Sequence, residues 1–186
     1  MKIKILPFSC YAKLVVAFIA ASFIVTSCSA SPTNRIEDDR LTMQKDSVMR
    51  KAVGDSIYTI LTNAKSVSAT LKLKAKDNKT DSVVNMKVAK NDKYVLNFIL
   101  SAPSYYESND TVFGKYVPNF TLNFKASKGR SCTANFDFGL RKWNICDANG
   151  NEIVKFDLPT NDVLRFANQL FPDCEYFNVL LNSQQK

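Results

Sequence analysis

The chain contains five cysteines and no histidine, which narrows the chemistry open to it. Without an imidazole there is no Ser-His-Asp triad, no Cys-His dyad, no His-ligated zinc and no histidine pH switch. Acid–base work would fall to carboxylates, Lys or Tyr, and nucleophilic work to Ser or Cys. The best-placed carboxylates are Asp137 and Asp157, which strand alternation sets beside Asn144 and Lys155 on one polar sheet face. Two such carboxylates could act as a pair does in glycoside hydrolysis. Alternating polar residues on a wet sheet face are, however, the ordinary outcome of antiparallel pairing. No cofactor or metal motif accompanies them, and a non-catalytic chain is expected.

The cysteines divide by position. Residues 1–13 carry Lys2, Lys4 and Lys13 and no acid, and Leu14 to Val25 is an uncharged, mostly apolar run of twelve. A membrane-spanning helix needs roughly 20 apolar residues, so this run has the length of a signal-peptide core. It ends in Val25-Thr26-Ser27-Cys28, which resembles the lipobox of bacterial lipoproteins. That resemblance implies that residues 1–27 are removed as a signal peptide and that Cys28 is lipidated, with palmitate among the expected acyl groups. Acyl burial yields ~0.8 kcal/mol per CH₂, so such a cysteine anchors a protein without any spanning helix. The competing readings are an uncleaved anchor helix or a signal peptide cut elsewhere.

Residues 28–40 begin Ser29-Ala30-Ser31-Pro32 after the cysteine and read as a flexible tether. Ser29 is not the Asp that retains many enterobacterial lipoproteins in the inner membrane. No acidic run follows Cys28 directly, unlike the surface-export signal of Bacteroidota lipoproteins. Both points favour the outer membrane, facing the periplasm.

Three of the 25 basic residues precede Cys28 and none of the 17 acids does, leaving 22 against 17 in the remainder. So modest a surplus aids solubility and favours anionic surfaces, but does not argue for nucleic acid. Lys72, Lys74, Lys76 and Lys87 form a basic stripe on the polar side of the expected sheet, able to touch headgroups or glycans. Such stripes are commonly solvated faces.

These residues must be positioned by a single α+β domain spanning 41–186. Val48, Met49, Ala52, Val53, Ile57, Ile60, Leu61 and Ala64 recur at helical spacing, predicting an amphipathic helix over 41–64, with Gly54 a local weakness. The period then switches to two. Strands are expected around Val67–Ala75, Val84–Val88 and Tyr94–Leu100, then Phe120–Ala126, Cys132–Phe138, Trp143–Ile145 and Val154–Phe156. Turn placement sets Leu71 against Met86, Val84 against Phe98, Phe136 against Ile145 and Trp143 against Phe156, keeping one apolar face throughout. Asn149-Gly150 is the strongest hairpin signal in the chain. Seven strands in meander order form a curved antiparallel sheet. Helices opened by Pro159-Thr160-Asn161-Asp162 and near Asp173 cover its apolar face.

Cys132, Cys146 and Cys174 remain as an odd set. Cys132 and Cys146 fall on opposite sheet faces, so Cys132 with Cys174 is the more plausible disulfide; three buried thiols are the alternative. The long connection Ser101–Asn119 holds Tyr105, Tyr106, Phe113 and Tyr116, which could stack on a sugar or line an apolar cleft. Alternatively its aromatics close one edge of the core.

The order of a long helix, then Ser66-Val67-Ser68-Ala69-Thr70, a hairpin and Lys93-Tyr94-Val95-Leu96 resembles LolA/LolB-type lipoprotein carriers over about residues 50–100. That family implies a half-barrel holding acyl chains. A cystatin-like helix-on-sheet arrangement fits the same order. The expected function is a membrane-anchored envelope module binding a lipid, glycan or protein, with a structural subunit of an envelope complex or a carboxylate-based hydrolase as alternatives.

Overall fold

The computed structural model describes residues 32–73, 82–108 and 114–183, with side chains from residue 43 onward. Cys28 and Phe113, and the stripe lysines Lys74 and Lys76, lie outside the described residues. The chain divides into two units, Met1–Asp38 and Asp39–Lys186, and every strand belongs to the second.

Helix α1 spans Pro32–Thr62. It starts inside the segment expected to be a tether: Pro32 is preorganised for a first helical position, and no further breaker follows until Gly54. The predicted stripe is the buried one, with Met49, Val53, Ile57, Ile60 and Leu61 all in the core. Gly54 does more than weaken the helix. At φ 79° and ψ 158° it breaks it, in a region that side-chain-bearing residues avoid. Arg50 brackets the break, pairing with Asp55 at 3.2 Å and lying 4.4 Å over the Tyr58 ring.

Strands β1 (Ser66–Leu73) and β2 (Ser82–Lys87) precede helix α2 (Lys90–Leu100) and a short turn of 3₁₀ helix at Pro103–Tyr106. Strands β3 (Phe120–Lys125), β4 (Ser131–Asp137), β5 (Lys142–Cys146) and β6 (Glu152–Asp157) follow. Helices α3 (Asp162–Leu170) and α4 (Glu175–Ser183) close the chain. The architecture is therefore α+β, with an open antiparallel sheet ordered β2-β1-β3-β4-β5-β6.

Among the described residues the sheet has six strands, not seven, and is not a simple meander, because α2 replaces the strand expected at Tyr94–Leu100. That stretch is apolar at almost every position, so periods of two and 3.6 both fit it. The residues α2 buries are Leu96 and Leu100, a helical pair, while Tyr94 and Phe98 stay exposed.

Registers follow the predicted faces closely. Trp143 pairs with Phe156 and Ile145 with Val154, as the Asn149-Gly150 turn requires. Elsewhere the pairing slips by two residues: Leu71 meets Val84 rather than Met86, and Phe136 meets Trp143 rather than Ile145. An even slip preserves the face, so the apolar side remains intact. At the last hairpin Gly150 takes φ 85°. The Asp147 carboxylate accepts from Asn149 N at 2.8 Å and Asn151 N at 2.9 Å. The Asn151 bonds in particular hold that carboxyl below its ordinary pKa.

The core lies between the apolar sheet face and α3, α4 and the buried side of α1. Trp143, Tyr105, Phe120, Phe124, Phe136 and Phe177 are its largest fully buried side chains. Phe136 stacks on Trp143 at 5.4 Å, and Phe177 meets Phe120 and Phe138 edge-on.

Candidate functional site

After α2 the chain reaches the β6 side of the sheet through residues 103–107. Tyr105 and Tyr106 are only 1% and 8% exposed, so both serve the core rather than forming a ligand platform. Tyr105 O accepts from Trp143 Nε1 at 3.0 Å, and its hydroxyl is 2.8 Å from Thr160 Oγ1. Tyr106 donates to Leu100 O at 2.7 Å and packs edge-on against Trp143 and Phe156; burial pushes its hydroxyl pKa well up. Glu107 O then accepts from Asp157 N on the outer edge of β6 at 2.9 Å. Where the chain is next described it lies on the opposite, polar face. There Tyr116 donates to Asn135 O at 2.6 Å beneath Lys155, whose ammonium is 4.8 Å from the ring centre. The three described aromatics of the predicted cluster, Tyr105, Tyr106 and Tyr116, are thus divided between two faces.

The polar face carries a cross-strand ladder. Thr121 donates to Asn135 Oδ1 and Asn135 to Asn144 Oδ1, both at 2.9 Å, and Asn144 donates to Glu152. Its carboxylates have structural partners. Asp137 is buried and accepts Val117 N at 2.8 Å and Leu140 N at 3.0 Å, tying the incoming connection to the β4–β5 turn. Asp157 pairs with buried Lys142. Asp137 borders a cleft of about 540 Å³ with Lys72, Lys115 and Tyr176, and Asp157 does not line it. The two carboxylates therefore share no open cleft of the kind glycoside hydrolysis needs. Among the described residues, no group of His, Cys, Asp or Glu is arranged to hold a metal.

Cys132, Cys146 and Cys174 are free and buried, so the predicted Cys132–Cys174 disulfide is not formed. Strand register explains why. Cys132 sits level with Phe124 and Val67, whereas Cys174 shares a cleft wall with Leu71 and Leu73. Four residues along a strand span about 13 Å, at roughly 3.3 Å each. A disulfide needs Cα atoms within about 7 Å. Cys146 pairs with Thr133 and so faces away from Cys132, as predicted.

Burial pushes the Cys132 thiol up to about 12. In the unfolded chain it ionises near ~8.5. Below that value both states hold the proton, and stability is complete. As pH rises toward 12 only the folded state holds it, so stability falls. Urea midpoints are expected to drop from about pH 9 upward, and Cys132→Val should flatten part of that drop. An equally steep drop in the variant would refute the assignment to Cys132.

Two surface features had not emerged from the sequence. Tyr94, Val95 and Phe98, which are 59%, 48% and 75% exposed, form an apolar strip along α2. It borders a cleft of about 410 Å³ whose walls include Ile99, Tyr105, Phe166 and Arg165. Their signal was the excess itself, since the run from Tyr94 to Leu100 has more apolar residues than one helix face can bury. The second feature is a lysine-lined cleft where β1 begins. Among the described residues no helix is long and apolar enough to cross a membrane. Compared with protein families, with curated proteins and with solved structures, the chain matches none.

Proposed function

We propose that this chain is a lipid-anchored envelope protein, held through Cys28, that binds a protein partner on the outward strip of α2 and catalyses no reaction. The carrying observation is the exposure of Tyr94, Val95 and Phe98 beside an apolar cleft. Lys45, Asp162, Arg165 and Gln169 rim that cleft. Aromatic residues at the centre and a polar rim are the ordinary anatomy of a protein interface. The filling of the sheet–helix interior by Trp143, Phe120, Phe136 and Phe177 favours surface binding over carriage of an acyl chain or stacking of a glycan. A structural subunit of an envelope complex would use the same strip. The outer membrane facing the periplasm is the address this reading adopts.

Two measurements test it. A photo-crosslinking residue at position 98 should give a discrete protein adduct in intact envelopes, and one at exposed Val179 on α4 should not. Identical adducts at both positions, or none at 98, would refute the interface. Cys28→Ser should abolish palmitate incorporation; unchanged incorporation would refute the anchor.

A further inference from the structure

At one end of the sheet β1 begins, β2 and β3 end, and β4 begins. Register brings the cations of these strands together there. Ser68 pairs with Lys87 and Ser66 with Lys125, and Lys65 N donates to Lys125 O at 2.8 Å. The β3–β4 turn adds Lys128 and Arg130, and the first turn of α2 adds Lys90 and Lys93. Six of these seven are exposed. Lys93 is half-buried, its ammonium fixed on Ala64 O at 2.8 Å.

Among the described residues the ion pairs lie elsewhere, at Arg50–Asp55, Lys142–Asp157, Lys155–Glu152 and Arg165–Asp162. Asp92 is the one acid in the first turn of α2, and it accepts from Gln169 at 3.5 Å. Basic residues exceed acidic ones by five from Cys28 onward. The seven cations at this end exceed that surplus, so the rest of the chain is close to neutral. Ordinary solvated faces intersperse the two signs, as the exposed side of α1 does with Asp46, Arg50, Lys51 and Asp55. Like charges in such excess repel one another, and that repulsion is relieved when an anion binds.

Four of these cations, Lys65, Lys87, Lys90 and Lys93, line a cleft of about 580 Å³ together with Ser66. We propose that this cleft binds a phosphate-bearing ligand. Phosphate is a compact, multiply charged acceptor, and ammonium groups engage it as point charges from several sides. The cleft has room for a phosphate together with the group that carries it. The proposal does not depend on the α2 strip, because Phe98 does not line this cleft.

The test uses the full chain carrying Cys28→Ser, so that no acyl group contributes. Co-sedimentation is compared between phosphatidylcholine vesicles and vesicles of equal parts phosphatidylcholine and phosphatidylglycerol. The gain of the second over the first is read, which cancels apolar attachment by residues 1–27. Thermal melting is followed with inorganic phosphate against chloride at matched ionic strength. Lys87→Gln with Lys90→Gln should reduce the phosphatidylglycerol gain roughly thirtyfold, as two lysine–headgroup contacts of ordinary strength would give. Lys72→Gln with Lys115→Gln, in the other cleft, should leave it unchanged. A vesicle response alone assigns the phosphate to a lipid headgroup, and a response to inorganic phosphate alone assigns it to a soluble ligand. No response to either probe, or equal losses in the two double variants, overturns the proposal.

Discussion

Trp143→Ala is expected to cost about 3–5 kcal/mol, the largest loss from any single core truncation in this domain. Trp143 is fully buried and is the chain's one tryptophan. It stacks on Phe136 from one side, with Phe156 tilted against it at 5.3 Å and Tyr106 edge-on at 5.8 Å. Its indole N–H also holds the α2–β3 connection through Tyr105 O. Alanine therefore opens a cavity and strands a buried carbonyl in one step. Trp143→Phe keeps most of the volume and loses only the hydrogen bond, and should cost about 1–3 kcal/mol. Urea unfolding followed by far-UV circular dichroism reads both. Equal losses for the two variants would mean that the hydrogen bond, not the packing, dominates the site.

Lys142→Met should destabilise by about 3 kcal/mol, the low end for breaking a buried ion pair because Asp157 stays partly exposed. Lys142 is buried, and Asp157 faces it across the β5–β6 register. Removing the ammonium leaves the carboxylate in that setting without this cation. The asymmetry is the informative part. Replacing both residues, Lys142→Met with Asp157→Leu, should recover most of the loss, since neither charge then has to be desolvated. Chemical denaturation of both singles and the double gives the coupling directly. If the double is as unstable as the singles combined, the pair contributes through backbone geometry and not through charge.

How much of this was legible depends on how local each signal is. The stripe on α1, the Asn149-Gly150 hairpin and the faces of β3, β4 and β5 are repeated at short range, and the structure keeps them. Tyr94–Leu100 was not legible as a helix, because its nearly continuous apolar run satisfies both periods. Only packing of Leu96 and Leu100 into the core selects one. The two-residue slips at β1–β2 and β4–β5 were invisible for a different reason: face alternation constrains register only modulo two. Tyr105 and Tyr116 look equivalent on a loop, yet they lie on opposite faces, Tyr105 against Trp143 and Tyr116 against Asn135. The lysine cleft joins Lys65 and Ser66 at the start of β1 to Lys87, Lys90 and Lys93 through the β1–β2 pairing. No window of sequence contains it.

The two outer strands differ in a way that bears on self-assembly. At β6, Glu107 O accepts from Asp157 N and so occupies that end of the edge. At β2 all six residues are exposed, and Val83, Val84 and Met86 are among them. Polymerisation by strand addition needs two usable edges on each copy. With the β6 edge blunted, two molecules that meet through β2 use up the open edge of each, and growth stops at a closed pair. Glu107, set on the outer edge of β6, thus acts as a chain terminator as well as part of a connection.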